Sequence, residues 1–438
     1  LMLFAAVSAM AQDSIVPQKH VFTLEDCIRY AFDNNYDRRN LDLTRQSQEM
    51  TYNQSKLERF PSVSASVSEN MSNSKSSSYS GADGTQYNTS DGVRFSGNVG
   101  VSASATLYNG GRVNKTIEQN KLNMEKSMVE LDKYDDELVI NILQAFLSVL
   151  SNEELLKYQE FVLGTSRSQL EQGKTKFDAG AILLSDYLLL QAQYASDSNN
   201  IVDTRISRDN NLLSLKILLS MEPTDELLIV YPDTTVFNVT DFPTADEAIE
   251  AAMNYLPSIK SSLYDVSVAE TNVALARADM FPSVRISGGV GTGHSDFSGL
   301  GNQLSDRLNE QIGVSVSVPI FNALSARTRA NKSRIALQQA QLNHERNLLT
   351  VRQTVFKEYQ NLVSAYNKYC VSEITCKAYR SSFEAYNVQF EQGSITAVEL
   401  LQQQNSYINS LNEFIRSKYS FMLQRKVLDV YMGKEITM

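Results

Sequence analysis

The stretch Leu107-Tyr108-Asn109-Gly110-Gly111-Arg112 stands where an alternating segment gives way to a long helical pattern. Strand, glycines and helix start in that order open many phosphate-binding loops, because glycine lets backbone N–H groups approach an anion at a helix N-terminus. A second copy of this motif, Ile320-Phe321-Asn322-Ala323-Leu324-Ser325, keeps the aromatic and the Asn but has no glycine. Neither phosphate contact nor an obligatory glycine conformation is then the shared requirement, and the stretch reads as a joint with Asn as helix N-cap. His20, His294 and His344 are scattered, with no second ligand at metal-binding spacing. No G-x-S-x-G, Walker or H-E-x-x-H pattern occurs. The glycines from Gly288 to Gly293 lead into a loop rather than a helix and punctuate a hairpin. These residues support neither an enzyme nor a cofactor.

Two turns carry better candidates. Phe177-Asp178-Ala179-Gly180 and Phe390-Glu391-Gln392-Gly393 each interrupt a long helical pattern, and glycine suits a reversal that needs φ above zero. Six residues after each glycine come Asp186 and Glu399, just inside the returning helices, where the helix dipole favours negative charge. That placement alone also explains each acid as part of a capped turn.

The elements that hold these motifs are written twice. Residues 23–43 align without gaps on 244–264 at an offset of 221, as does Phe60-Pro61-Ser62-Val63 on Phe281-Pro282-Ser283-Val284. From Val101 onward the offset is 213, and it still holds at Phe177 against Phe390 and at Tyr194 against Tyr407. The difference is absorbed in the Ser- and Gly-rich segment 72–92, read as a hairpin loop. Alternation places Val314, Val316, Val318 and Ile320 on one face of a strand and Ser315 and Ser317 on the other. Four such strands form two hairpins.

Long helices follow the strands. Met124, Met128, Leu131, Asp135, Leu138, Ile142, Ala145 and Val149 keep a 4,3 spacing, and beside them a second stripe recurs every seven residues as Leu122, Val129, Asp136, Leu143 and Leu150, with Ile335, Leu342, Leu349, Phe356 and Val363 as its counterpart in the other copy. Two stripes about 140° apart give each helix a neighbour on both sides, as in a wall of helices. The 67 residues from Gly111 to Phe177 reach about 100 Å as helix. The returning helix from Ser185 to Ser220 is too short to cover them alone, so the helix from Tyr36 stacks on it end to end. Prolines are absent between Pro61 and Pro223 and after Pro319, which leaves these helices unbroken.

The expected organisation is a signal peptide over 1–11, truncated at its start, a first repeat over 22–220, a linker over 221–243 and a second repeat over 244–433. Within the repeats the expectation is strands at about 62–108 and 283–321, long helices at about 110–177 and 323–390, and return helices at about 185–220 and 398–432. A net charge of −10 excludes a nucleic-acid partner in the absence of clustered Lys and Arg. Cys27, Cys370 and Cys376 form no disulfide framework. Four strands cannot close a membrane barrel, which needs about eight or more, so the exported chain must oligomerise if it forms one. A trimeric coiled-coil spacer or adhesin without a pore is the alternative.

In each half the order is helix, Phe-Pro-Ser, strand hairpin, aromatic-Asn turn, very long helix, F-x-x-G-x(5)-[DE] turn and returning helix. From about Phe22 to Gly433 this resembles the TolC family of outer-membrane efflux proteins. The resemblance implies a mainly α fold with a membrane β-barrel: a homotrimer with a 12-stranded barrel and a periplasmic helical tunnel, set in the lipid of a Gram-negative outer membrane. Its strand-to-helix joints are Tyr108, Asn109, Phe321 and Asn322. It further implies an exit duct for an inner-membrane pump, joined through a periplasmic adaptor, or membrane fusion, protein that docks at the turns carrying Phe177, Gly180, Phe390 and Gly393. Glu399 matches the first of two acids that ring the closed entrance, while the second falls on Gln402. The family's latching Tyr and Arg fall on Phe390 and Ile395, and their acidic partner on Asp186, so the charged latch is incomplete here. The exported substrate is not readable, since selection resides in the pump.

Overall fold

The structure is a computed structural model and describes residues 19–79, 87–230, 242–295 and 300–434; the segment read as a signal peptide lies outside them. The elements run β1 (Lys19–Phe22), α1 (Leu24–Asn34), α2 (Tyr36–Leu57), β2 (Ser62–Tyr79), β3 (Tyr87–Asn109), α3 (Arg112–Asp178) and α4 (Leu184–Leu219). There follow β4 (Glu226–Ile229), α5 (Ala245–Tyr255), α6 (Pro257–Ala278), β5 (Ser283–His294), α7 (Leu300–Asp306), β6 (Asn309–Ser317), α8 (Ser325–Glu391) and α9 (Ala397–Tyr431). Helices α3 and α8 are each 67 residues long. Helices α1 and α5 open on the same device, a capping box of Thr23 with Asp26 and of Thr244 with Glu247.

The described residues divide into two compact units. The first comprises the chain up to Leu43, Val129–Ile259 and the part from Arg346 onward. Its core runs along the apolar seam of α3, whose Leu138, Ile142, Leu143, Phe146 and Leu150 belong to one continuous buried cluster with Leu215 and Leu219 of α4 and, further along the bundle, Ile415 and Leu400 of α9. Each fully buried side chain of this kind contributes about 1.5–3 kcal/mol. One 18-residue window of α3 has a mean hydropathy of 1.2, but 44% of it is buried, as in a core helix. End-to-end stacking of α2 on α4 is visible in the bonds between their termini. Asn35 Nδ2 donates to the Leu218 carbonyl at 2.9 Å, and the Tyr36 N–H donates to Ser220 Oγ at 3.3 Å, which satisfies groups that helix ends leave free.

The second unit holds a four-stranded antiparallel sheet in the order β2-β3-β5-β6. Both hairpins share one register: Ser62 faces Ser104 and Val63 faces Ala103 in the first, Ser283 faces Ser317 and Val284 faces Val316 in the second. Val63, Val67, Met71, Val99, Val101, Val290, Ile312, Val314 and Val316 alternate onto one exposed face. The other face is lined with serine, and Ser64 and Ser102 hydrogen-bond across it at 3.0 Å. Glu69 interrupts the apolar face and accepts from His294 Nε2 at 2.8 Å.

Four expectations need correction. Most of segment 72–92 is strand, because β2 and β3 stay paired out to Tyr79 and Tyr87; serine and asparagine accept an extended backbone when a paired strand supplies ladder bonds. Strand β6 ends at Ser317, short of Phe321 and Asn322, and Pro319 follows with no N–H to continue a ladder. Part of the expected linker is β4, paired in parallel with β1 from Lys19 against Glu226 to Phe22 against Ile229. Among the described residues no neighbour covers the second heptad stripe on α8: Ile335, Leu342, Leu349, Phe356 and Val363 are 38–64% exposed.

Candidate functional site: the helix tips

Both tips reverse by the same backbone device. At the end of α3 the Gly180 N–H reaches the Phe177 carbonyl at 2.9 Å and the Ala181 N–H reaches that of Lys176 at 2.8 Å. At the end of α8 Gly393 bonds to Phe390 at 3.0 Å and Ser394 to Gln389 at 2.9 Å. Gly180 and Gly393 stand at φ 70° and 76°, left-handed values that close a Schellman motif and strain any other residue.

Beyond the glycines the tips differ. Helix α9 starts on Thr396, whose hydroxyl accepts from the Glu399 N–H while the Glu399 carboxylate accepts from the Thr396 N–H at 2.8 Å. The backbone bond from Thr396 holds the Glu399 carboxyl below its ordinary range, with the Thr396 hydroxyl adding to it. Helix α4 starts on Leu183, which cannot cap with its side chain, and among the described residues no hydrogen bond holds the Asp186 carboxylate. Leu183, Leu184 and Leu188 are all at least half exposed.

The aromatics diverge too. Phe177 stacks on Tyr187, ring centres 5.6 Å apart. Phe390 is buried beneath the Lys176 ammonium, 4.3 Å from its ring centre. Lys176 also donates to the Phe390 and Glu391 carbonyls, where the negative end of the α8 dipole favours a cation. Lys176, Gly180, Asp186, Phe390, Ile395 and Glu399 line one cavity of about 590 Å³; Gln402 is exposed on α9 outside it. Sequence reasoning missed Lys176, whose counterpart at the 213 offset is Gln389. Its signal was a lone cation in the last turn of one long helix only.

At the first joint β3 ends on Asn109 and α3 starts at Arg112. Asn109 Oδ1 accepts from the Val113 N–H at 3.3 Å, so the cap survives in this copy. Arg112 of α3 and Arg329 of α8 both bind Asp279. The loss of the glycines in the second copy does not remove the left-handed backbone that glycine favours. Gly110 and Gly111 have φ 68° and 81°, and Ala323 and Leu324 hold φ 52° and 60° without being glycine.

The family description "Outer membrane efflux protein" fits this chain twice, over residues 28–220 and 248–434. The chain belongs to the outer membrane efflux protein family. Like other members, it is an outer-membrane protein of Gram-negative bacteria. It is 21% identical to the outer membrane protein TolC of Escherichia coli over 312 residues, which are 68% of this chain but only 61% of TolC. It is 26% identical to the cation efflux system protein CusC of the same organism over 188 residues, 40% of this chain and 38% of CusC. In three dimensions it is similar to a solved CusC structure, with a TM-score of 0.80 and 18% identity over 94% of this chain and 92% of that one. The outer-membrane channel OprN gives a TM-score of 0.78 at 16% identity, over 94% and 90% of the two chains. At these identities the structural likeness carries the fold.

Proposed function

We propose that the chain is one third of a passive exit duct: a homotrimer whose strands close a 12-stranded outer-membrane barrel and whose long helices wall a periplasmic tunnel. On this reading 22–220 and 244–433 are two structural repeats joined by 221–243. The observation that carries it is the sheet, with an exposed apolar face, a serine face and two unpaired edges. Apolar-out and polar-in alternation is what lipid outside and water inside require. The repeat supplies the missing contact. In the chain β3 pairs with β5, Ala103 facing Gly288 and Val99 facing Thr292. Carried through the offsets, β6 of one chain pairs with β2 of the next, Val316 facing Val67 of the partner subunit and Ile312 facing Met71 of the partner subunit.

The duct does no covalent chemistry and is not an enzyme. An adaptor and an inner-membrane pump bias the tip helices from closed to open, and the energy comes from the pump. Docking falls on the turns around Phe177–Gly180 and Phe390–Gly393. With Phe390 and Ile395 in place of a Tyr and an Arg, the tips close by apolar packing, and Glu399 and Asp186 add acidic rings. Unchanged cation selectivity and divalent block in Glu399→Gln would remove the Glu399 ring. The duct itself is tested by extracting the protein from outer membrane with detergent and measuring conductance in planar bilayers. Stable channels support it, whereas a water-soluble trimer without conductance returns the spacer reading.

A further inference from the structure

Away from the tips, α3, α4 and α9 enclose a polar cavity of about 280 Å³. Asp197 of α4 faces it and is only 4% exposed. Its carboxylate accepts from Gln193 Nε2 at 2.9 Å, from the Ser166 hydroxyl and from Gln404 Nε2 at 3.2 Å. Among the described residues no Lys, Arg or His pairs with it, and burial pushes its carboxyl up despite the Ser166 and Gln193 bonds. A buried carboxylate without a counter-charge is costly.

The rest of the lining repeats the imbalance. Gln159 Oε1 of α3 and Asn412 Oδ1 of α9 are buried acceptors with no donor, and Asp203 adds a second carboxylate. The wall therefore offers oxygens from three helices and no cationic side chain.

We infer that this cavity binds a partly hydrated calcium-class cation that ties α3, α4 and α9 together. The chemistry selects the class. No trio of His, Cys, Asp or Glu gathers among the described residues, so soft and transition-metal sites lack their ligands. Amide and carboxylate oxygens suit a hard cation. Calcium tolerates irregular sets of six to eight oxygens, whereas magnesium demands a tight octahedron and keeps its water. With two carboxylates, the affinity belongs to the weak extracellular range of about 10⁻⁴–10⁻³ M.

The test is equilibrium dialysis of calcium against chelator-stripped protein refolded free of lipopolysaccharide. One saturable calcium per chain is expected, lost in Asp197→Asn, weakened at least tenfold in Asn412→Leu and unchanged in Asp209→Asn, an exposed acid of α4 outside the cavity. Magnesium should bind at least tenfold more weakly. Absence of saturable binding, its retention in Asp197→Asn, its loss in Asp209→Asn or equal affinity for magnesium would each overturn the assignment. Should Asp197→Asn fail to fold, Asn412→Leu with wild-type helical ellipticity decides: reduced affinity supports the site and unaltered affinity removes it. The site does not depend on conductance, so its failure leaves the duct reading untouched.

Discussion

Gly110 and Gly111 in the first copy and Ala323 and Leu324 in the second all hold left-handed backbone angles, yet the surroundings of Gly110 and of its exposed counterpart Ala323 differ. A Cβ on Gly110 would lie 2.7 Å from the Ala278 carbonyl and 2.9 Å from Phe281 Cβ. In the second copy Phe321 and Leu324 are 80% and 57% exposed. The long helices repeat the contrast, with Leu143 and Leu150 fully buried and their counterparts Phe356 and Val363 exposed. One copy is covered by its own chain and the other presents the equivalent surface to solvent. Under the offset of 221, Ala278 and Phe281 correspond to Leu57 and Phe60, which are 57% and 67% exposed. Two surfaces that meet within the chain are thus duplicated as two that do not, and the proposed pairing between identical chains would cover both.

The largest effect that would break this contrast is at the joints. Gly110→Ala should destabilise detergent-solubilised protein by about 2–4 kcal/mol, combining left-handed strain with a clash against Ala278. Ala323→Gly should stabilise by about 0.5–1 kcal/mol, because only strain is relieved. Urea unfolding of the two variants checks both, and equal shifts of one sign would erase the distinction.

The tips come next. Thr396→Ala removes a capping box and should cost about 1 kcal/mol. Leu183→Thr, which places a capping residue three before Asp186, should gain about 0.5–1 kcal/mol by building the box the first tip lacks. Thermal melts of the pair sharpen the comparison. No change in either would mean that the tips are held by tertiary packing alone.

The smallest effect concerns Asp136, which stands where the second copy has Leu349. Burial pushes its carboxyl up to about 6, against the opposing bond from Tyr255. A raised value in the fold means full stability below the ordinary carboxyl range, lost as pH rises through about 6. Asp136→Asn should therefore raise Tm by about 1–2 °C at pH 7.5 and by nothing at pH 4. A gain that persists at pH 4 would assign the effect to packing.

Much of the architecture was legible because it is periodic. The 4,3 spacing from Met124 to Val149 and the 213 offset between Phe177 and Phe390 are carried by many residues at once, and α3 and α8 begin 213 positions apart. What was not legible rests on single contacts between distant segments. Pairing of β1 with β4 joins Lys19 to Glu226, and neither short strand has a pattern of its own. The angles of Ala323 and Leu324 oppose their own preference and are imposed by the strand and helix on either side. Of the tip, the glycines and acids could be read from spacing. Lys176 could not, because its partners are carbonyls on another helix, and backbone carbonyls leave no trace in residue type.

The claim that two open surfaces of one chain are a single contact between chains is tested most directly by a disulfide across the expected β6–β2 pairing. With Val316→Cys and Val67→Cys in one otherwise cysteine-free chain, mild oxidation of the membrane-embedded protein should give a covalent three-chain species. Val316→Cys with Met71→Cys, four residues out of register, should give none. Crosslinking of the offset pair alone, or a product limited to single chains from both, would contradict the account.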